Sequence, residues 1–367
     1  MNQDTIHYSR DLADVVVGDT AISDVKGQEG ALSYRGIDIG ELAEKPFFQV
    51  VWMVLFGAWP DAGEERQLSE FMTVNSRLST GEQALLQQIP RDLHPMLMLQ
   101  GVIPLLTVPN DSTLNITLDA ERGLTLAAKI PGLIAGHFRL SQNKAILDPV
   151  AGVPFHESFL TLFNGETPGE GQVRMLDTAQ ILQMEHSFNC GTFAGRICAS
   201  SLAPIQACIS ASIGALFGKL HGGADQAALE MAAQIGAPEH AASYVQNALA
   251  NKEKIMGMGH REYRTIDPRA QILKPMAQQV CRDGESEVLL STLIAVEEAC
   301  QSAFAERGKE IWANVEFYKG AVFNSMGIPS QYFTAMFTMA RVYGYIAHFL
   351  EFSQDSCLIR PKARYRP

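Results

Sequence analysis

Several short segments put His, Arg or a carboxylate at a break in an otherwise apolar pattern. In Lys219-Leu220-His221-Gly222-Gly223-Ala224 a histidine sits before two glycines. Glycine permits unusual backbone angles and close approach of a ligand to the main chain. A histidine held neutral there is a hydrogen-bond donor for a developing oxyanion. The plain alternative is a turn histidine that only bonds backbone. Gly257-Met258-Gly259-His260-Arg261-Glu262-Tyr263-Arg264 is a second such break, followed by Asp267-Pro268-Arg269. Arg264 and Arg269 suit anionic groups, because guanidinium binds carboxylate and phosphate in forked geometry. The alternative is that Asp267 and Arg269 form a surface loop pair. In Asn314-Val315-Glu316-Phe317-Tyr318 a carboxylate flanked by Val and Phe is a candidate general base. Its alternative is an exposed Glu on a half-buried element. Arg341, with His348 seven residues on, and His186, in Met184-Glu185-His186-Ser187-Phe188-Asn189, complete the set.

Together these residue types suit one chemistry. Enolising a substrate without redox or metal needs a carboxylate base and neutral donors for the enolate oxygen. A polycarboxylate partner would need Arg clamps to hold it in reacting geometry. Nucleotide motifs fail. Gly257-Met258-Gly259 lacks the third glycine and a preceding strand, and Gly218-Lys219 lacks the spaced glycine and Ser/Thr of a phosphate loop. A metal hydrolase using His186, His221, His260 and Glu316 is the remaining rival, but no His-Glu-x-x-His helix motif exists.

The elements that must position these residues are mostly helical. Thr20 to Tyr34 reads as two short strands around a Lys26–Gly30 turn. Phe47–Phe56 reads as a helix closed by Gly57, with Pro60 beyond, and Ala224–Ile235 as one closed by Gly236. Leu289, Leu293, Val296, Cys300 and Phe304 mark one helix face between Val288 and Phe304. Tyr332–Glu351 is a further long helix, and Asn164-Gly165 with Pro168–Gln172 an exposed loop. Ile197–Gly218 has 22 residues without charge or His but contains four serines and Pro204, so it is expected as a buried helix rather than a membrane span. No alternating strand–helix pattern supports a dinucleotide-binding sheet.

Composition agrees. The 367 residues suggest two domains or three. The charged fraction of 19% is low, which excludes a disordered chain or a coiled coil. A net charge of −11 makes nucleic acid or an anionic membrane a poor general partner. The basic tail, with Arg360, Lys362, Arg364 and Arg366, runs against that balance. Six cysteines without a Cys-x-x-Cys pair fit free thiols in a reducing compartment, and Met1–Asp14 does not read as a signal peptide, so a cytoplasmic location is expected.

Taken in order, these segments resemble the citrate synthase family, in the short bacterial type shared with 2-methylcitrate synthase. The resemblance runs from Gly18–Ser23 and Tyr34-Arg35-Gly36, through His94-Pro95-Met96 and Glu185–Asn189, to Leu358-Ile359-Arg360-Pro361. Its most specific parts are Leu220–Ala224, Gly259-His260-Arg261 with Asp267-Pro268-Arg269, and Asn314–Tyr318. It implies an all-helical two-domain fold with a small N-terminal β-hairpin. Residues 1–224 and 326–367 would form the large domain, and 225–325 a small domain closing over the site. It implies condensation of acetyl-CoA with oxaloacetate, or of propionyl-CoA in the 2-methylcitrate case, followed by thioester hydrolysis, with no metal or permanent cofactor. His221 would donate to the thioester carbonyl, Glu316 take the methyl proton, and His260 polarise the ketone and protonate the alkoxide. His186, Arg269 and Arg341 would hold the oxaloacetate carboxylates, and Arg264 would contact a CoA phosphate. Arg360 would complete the site of the second subunit in a homodimer.

Four positions depart from the family pattern. Glu316 stands where the family usually has Asp, which shifts the carboxylate by about 1.5 Å. Misplacement by about 1 Å can cost on the order of 10²-fold in rate. Lys219 and Asp225 flank His221 where Pro and Asn are common, and Cys190 replaces a small residue and is expected to pack. Glu316 and Lys219 keep a non-catalytic binding homologue open as an alternative.

Overall fold

The computed structural model describes residues 8–12, 15–218 and 220–365. Near the N-terminus, β1 (Ser23–Lys26) pairs antiparallel with β2 (Ala31–Tyr34), Lys26 opposite Ala31, so the hairpin forms as expected. A third strand, β3 (Ile37–Asp38), folds back on β2 through Arg35 and Gly36, both with positive φ. Two residues are too few to show a period of two, so this strand left no sequence signal.

Helices make up most of the rest. They begin with α1 (Ile39–Leu42), α2 (Phe47–Phe56), α3 (Ala62–Asn75), α4 (Thr80–Gln87) and α5 (Pro95–Val102), which lead to the long α6 (Leu118–Ser141). Next come α7 (Phe155–Asn164), α8 (Glu170–Gln183), α9 (Cys190–Ala199) and α10 (Ile205–Leu216). Then follow α11 (Ala224–Ile235), α12 (Ala241–Ala250), α13 (Pro268–Val280), α14 (Gly284–Ala305), α15 (Val315–Ser325) and α16 (Phe333–Gln354).

The ends of α2 and α11 fall where the glycines place them. Gly57 and Gly236 take φ of 78° and 81°, and their N–H groups bond back to Met53 and Ala232. Two expectations are corrected. The uncharged stretch 197–218 is not one helix: Pro204 cannot donate into a helical ladder, so α9 ends at Ala199 and α10 starts after the proline. The loop expected to run to Gln172 ends earlier, because Gln172 is the third residue of α8 and its side chain accepts from the Gly169 N–H.

α16 is the axis of the core. Every residue from Phe333 to Phe349 is buried, Arg341 and His348 included, and it packs against α2, α6, α8, α9 and α10. A helix apolar on all sides belongs inside. A second group forms around α15, which packs mainly on α11, α13 and α14. α14 is the one helix among the described residues long and apolar enough to cross a bilayer. Here its Leu289, Leu290, Leu293, Val296 and Cys300 are buried against that group. The hairpin turn reaches this group too: Gly27 O accepts from Arg264 N at 2.9 Å, and a Cβ on Gly27 would collide with the Glu262 carbonyl.

Candidate active site

Four breaks between helices converge. The first lies between α8 and α9 and carries His186. The second precedes α11 and carries His221. There Thr334 Oγ1 donates to Gly222 O at 2.9 Å, and a Cβ on Gly222 would press on Thr334. The third, Gly257–Asp267, carries His260. The fourth is the start of α15 with Glu316.

The third and fourth segments are zipped together. Met258 bridges Ala313 antiparallel, Gly259 N donates to Trp312 O at 2.7 Å, and Asn314 N donates to Gly257 O at 3.0 Å. Asn314 Nδ2 adds a bond to Gly259 O at 3.0 Å, while its Oδ1 caps α15 through Glu316 N at 3.1 Å. His260 is thereby fixed relative to Glu316. The carboxylate of Glu316 is buried in the first helical turn, where the helix dipole favours negative charge. The exposed alternative for Glu316 does not hold.

His260 Nδ1 accepts two backbone N–H bonds, from Glu262 at 3.0 Å and Tyr263 at 3.2 Å. That assigns the proton of the neutral ring to Nε2. Arg269 Nη2 lies 3.4 Å from the same Nε2. Two donors thus face one another, an arrangement that suits an anionic oxygen placed between them. His186 packs 5.4 Å from His260, ring centre to ring centre, and its Nε2 is 3.1 Å from the Tyr263 hydroxyl. Burial, then the charge of Arg269, hold His186 well below the usual histidine pKa. The same two causes lower His260. Burial, with help from Arg341, takes His221 down to about 4. In each case the first cause is desolvation, which penalises the charged ring. All three imidazoles are neutral donors at pH 7.

His221 Nε2 lies 3.2 Å from Asn189 Oδ1. Asn189 Nδ2 donates to Ser187 O and Thr192 Oγ1, which fixes Oδ1 as the acceptor. The Nε2 proton of His221 therefore points at Asn189.

The two clamps are held differently. Arg269, 2% exposed, is gripped by Asp267, 1% exposed, through Nε at 3.0 Å and Nη2 at 2.8 Å. Burial works to raise the Asp267 pKa, but Arg269 overrides it and holds the carboxyl below its usual range. The surface-pair alternative is thus wrong. Arg341 is 2% exposed and gives Nε to Gln183 O at 2.6 Å, at the C-terminal end of α8, where cations are favoured.

Beneath His186 runs a buried polar chain. Ser23 Oγ donates to Glu185 Oε1 at 3.0 Å and accepts from Ser187 N at 2.9 Å. His348 joins Glu185 at 2.9 Å and Arg196 at 2.9 Å, and Arg196 bonds Glu351 at 2.8 Å.

The structure thus gathers His186, His221, His260, Arg269, Arg341 and Glu316. It does not bring in Arg264 or Arg360, both exposed; Arg360 Nη1 donates only to Pro361 O at 2.9 Å. Cys190, expected to pack, is exposed at the start of α9. Asp225 falls in α11, and Lys219 and Arg366 lie outside the described residues. Among the described residues no group of three or more His, Cys, Asp or Glu is placed to hold a metal ion. Tyr263, Asn189 and Gln183 join the site although the sequence does not single them out, and Asp267 enters it as the buried partner of Arg269. Tyr263 was legible in hindsight, since it lies between His260 and Arg269 in one short loop.

The family model described as citrate synthase, C-terminal domain, matches residues 11–362. The chain belongs to the citrate synthase family. It is 32% identical to the citrate synthase of Deinococcus radiodurans, over 98% of this chain and 96% of that one. It is 33% identical to the 2-methylcitrate synthase of Shewanella oneidensis, over 95% and 92%. Its fold is similar to the Thermoplasma acidophilum citrate synthase in ternary complex with carboxymethyl coenzyme A and oxaloacetate. The TM-score there is 0.91 and the identity 27%, covering 99% and 97% of the two chains.

Proposed function

We propose that this citrate synthase family member is an acyltransferase that condenses acetyl-CoA with oxaloacetate and hydrolyses the thioester to citrate and CoA. One observation carries the reading: a buried carboxylate, Glu316, shares one site with three neutral histidines and two buried guanidinium groups. Oxaloacetate enters first, its carboxylates taken by Arg269, Arg341 and His186. An oxygen between His260 Nε2 and Arg269 relieves the facing donors there. Glu316 then removes the methyl proton of the thioester. His221 exchanges Asn189 for the thioester carbonyl and stabilises the enolate. His260 polarises the ketone and protonates the new alkoxide. Neutral donors suit this, because an enolate that is only hydrogen-bonded stays nucleophilic.

In this reading residues 225–325 form a small domain that closes over the large one, excluding water before the acyl group is exposed. The enzyme is a cytoplasmic homodimer in the tricarboxylic acid cycle, with no membrane or nucleic-acid partner and no bound metal or redox cofactor. Arg360 reaches the second subunit's site, and Arg264 meets a CoA phosphate. The dimer is supported by apolar side chains exposed around α10: Leu97, Leu105, Ile197 and Leu202. Propionyl-CoA differs from acetyl-CoA by one methylene, worth only about 1–3 kcal/mol to a pocket.

The test is release of free thiol by the purified protein with oxaloacetate and acetyl-, propionyl- or butyryl-CoA. Acetyl-CoA should be the best substrate, and Glu316→Gln should lower kcat by about 10²–10⁴-fold. A faster reaction with propionyl-CoA would make it a 2-methylcitrate synthase. Tight oxaloacetate binding without thiol release from any of the three would leave a binding homologue instead.

A further inference from the structure

Glu316 is one methylene longer than the carboxylate its family usually places there, so something must set its depth in the site. One helical turn on, at the same face of α15, stands Lys319, a fully buried cation. Its Nζ donates to Gln183 Oε1 at 3.1 Å and lies 4.3 Å from the centre of the Phe337 ring. These two contacts reach outside its own helix group, while a longer approach, 6.0 Å to the Phe323 ring, stays within α15. Gln183 ends α8, three residues before His186. Its carbonyl is the one that holds Arg341, whose guanidinium sits 4.7 Å from the same Phe337 ring. The helix that bears the base and the segment that holds Arg341 and bears His186 therefore meet at Gln183.

The location suits a cation. The C-terminal end of α8 carries the negative end of its dipole, and an aromatic face adds attraction. Gln183 Nε2 has no partner among the described residues, so the bond from Lys319 is what orients this amide. α15 packs mainly on α11, α13 and α14, and the long lysine side chain is its polar reach toward α8 and α16.

We propose that Lys319 is a positioning residue: through Gln183 and Phe337 it fixes the first turn of α15 against the Arg341–His186 segment, and so sets where the Glu316 carboxylate meets the acyl carbon. The inference rests on the condensation reading above. It makes the Lys319–Gln183 bond a requirement for proton abstraction and not for binding the keto acid.

Two variants test it, each in the full-length enzyme. Lys319→Met keeps most of the side chain's length without the charge, and Gln183→Met removes the acceptor while leaving the backbone carbonyl for Arg341. Each should lower kcat by about 10–10²-fold, the scale of a misplacement near 1 Å, with KM for oxaloacetate changed little. Exchange of the acetyl-CoA methyl protons with deuterated water, in the presence of oxaloacetate, should slow in parallel. A purely structural lysine would instead lower the melting temperature and leave kcat per folded molecule intact. A double-mutant cycle with Glu316→Asp adds a readout that stability does not move. The effect of Lys319→Met on kcat should differ between the wild-type and Glu316→Asp backgrounds, since the two residues act together. Additive effects, or Gln183→Met with wild-type kcat, would overturn the proposal. A wild-type enzyme that releases no thiol at all would instead overturn the reading beneath it.

Discussion

Asp267 accepts four bonds while almost wholly out of water: from Arg269 N and Nε on one oxygen, and from Arg269 Nη2 and Val315 N on the other. It is both counter-ion to the proposed substrate clamp and a tie to the first residue of α15. A buried ion pair contributes little net stability over an apolar pair, but removing one partner leaves a charge uncompensated, which costs about 3–5 kcal/mol. Asp267→Asn is expected to do this, since its amide turns donors toward donors. The unfolding free energy from denaturant titration should drop by that measure, and KM for oxaloacetate should rise as Arg269 loses its orientation. Stability and KM both near wild type would show that Arg269 finds another anchor. The same residue shows why a single sequence undersells a site. Asp267-Pro268-Arg269 reads equally as a helix cap with a salt-bridged surface turn. Only the burial of both side chains, decided by segments distant in the chain, separates the two.

Among the elements, the antiparallel zip between Gly257–Gly259 and Trp312–Asn314 fixes His260 against Glu316, and it has no local signature. Helix ends are legible because their cause is local: Gly57 and Gly236 supply the left-handed residue that a helix terminus needs. The split of 197–218 is legible in principle, as Pro204 lies within it, but a run of small apolar residues outweighs the proline. Convergence of four breaks is legible only by resemblance, because pairing at this separation depends on the whole core. Glycine substitutions test the zip. Gly257 has φ of 79°, and a Cβ there would stand 2.5 Å from the Phe317 ring, next to the base. Gly236 has φ of 81° but open space around it. Both alanine variants should lose roughly 1–2 kcal/mol from the left-handed backbone. Only Gly257→Ala should also lower kcat, by shifting Phe317 and with it Glu316. Equal activity in the two variants would mean that the zip tolerates displacement.

For the whole molecule the buried imidazoles set the pH response. Burial lowers the pKa of His94, His137, His186, His221 and His260. In the unfolded chain each returns to about 6.5. Below that pH the unfolded chain binds protons that the native state refuses, so stability falls as pH falls, by about 1.4 kcal/mol per pH unit for each proton of difference. The window runs from about 6.5 down to the native values, which for His221 is about 4. The carboxyls of Glu185, Asp267 and Glu351 have lowered native pKa values, so their contribution is present above their unfolded values and is lost as acid passes them. Both sets act in the same direction. One effect opposes them: at −11 the chain repels itself, and acid relieves that repulsion. Those charges are mostly at the surface, where 0.15 M salt screens them beyond about 8 Å, whereas the histidines are enclosed. The buried groups should therefore win. The melting temperature of the ligand-free enzyme is expected to be flat above about pH 7 and to fall between about pH 6.5 and 5. A rise over that interval would mean that surface repulsion, not the neutral histidines of the site, governs the acid response.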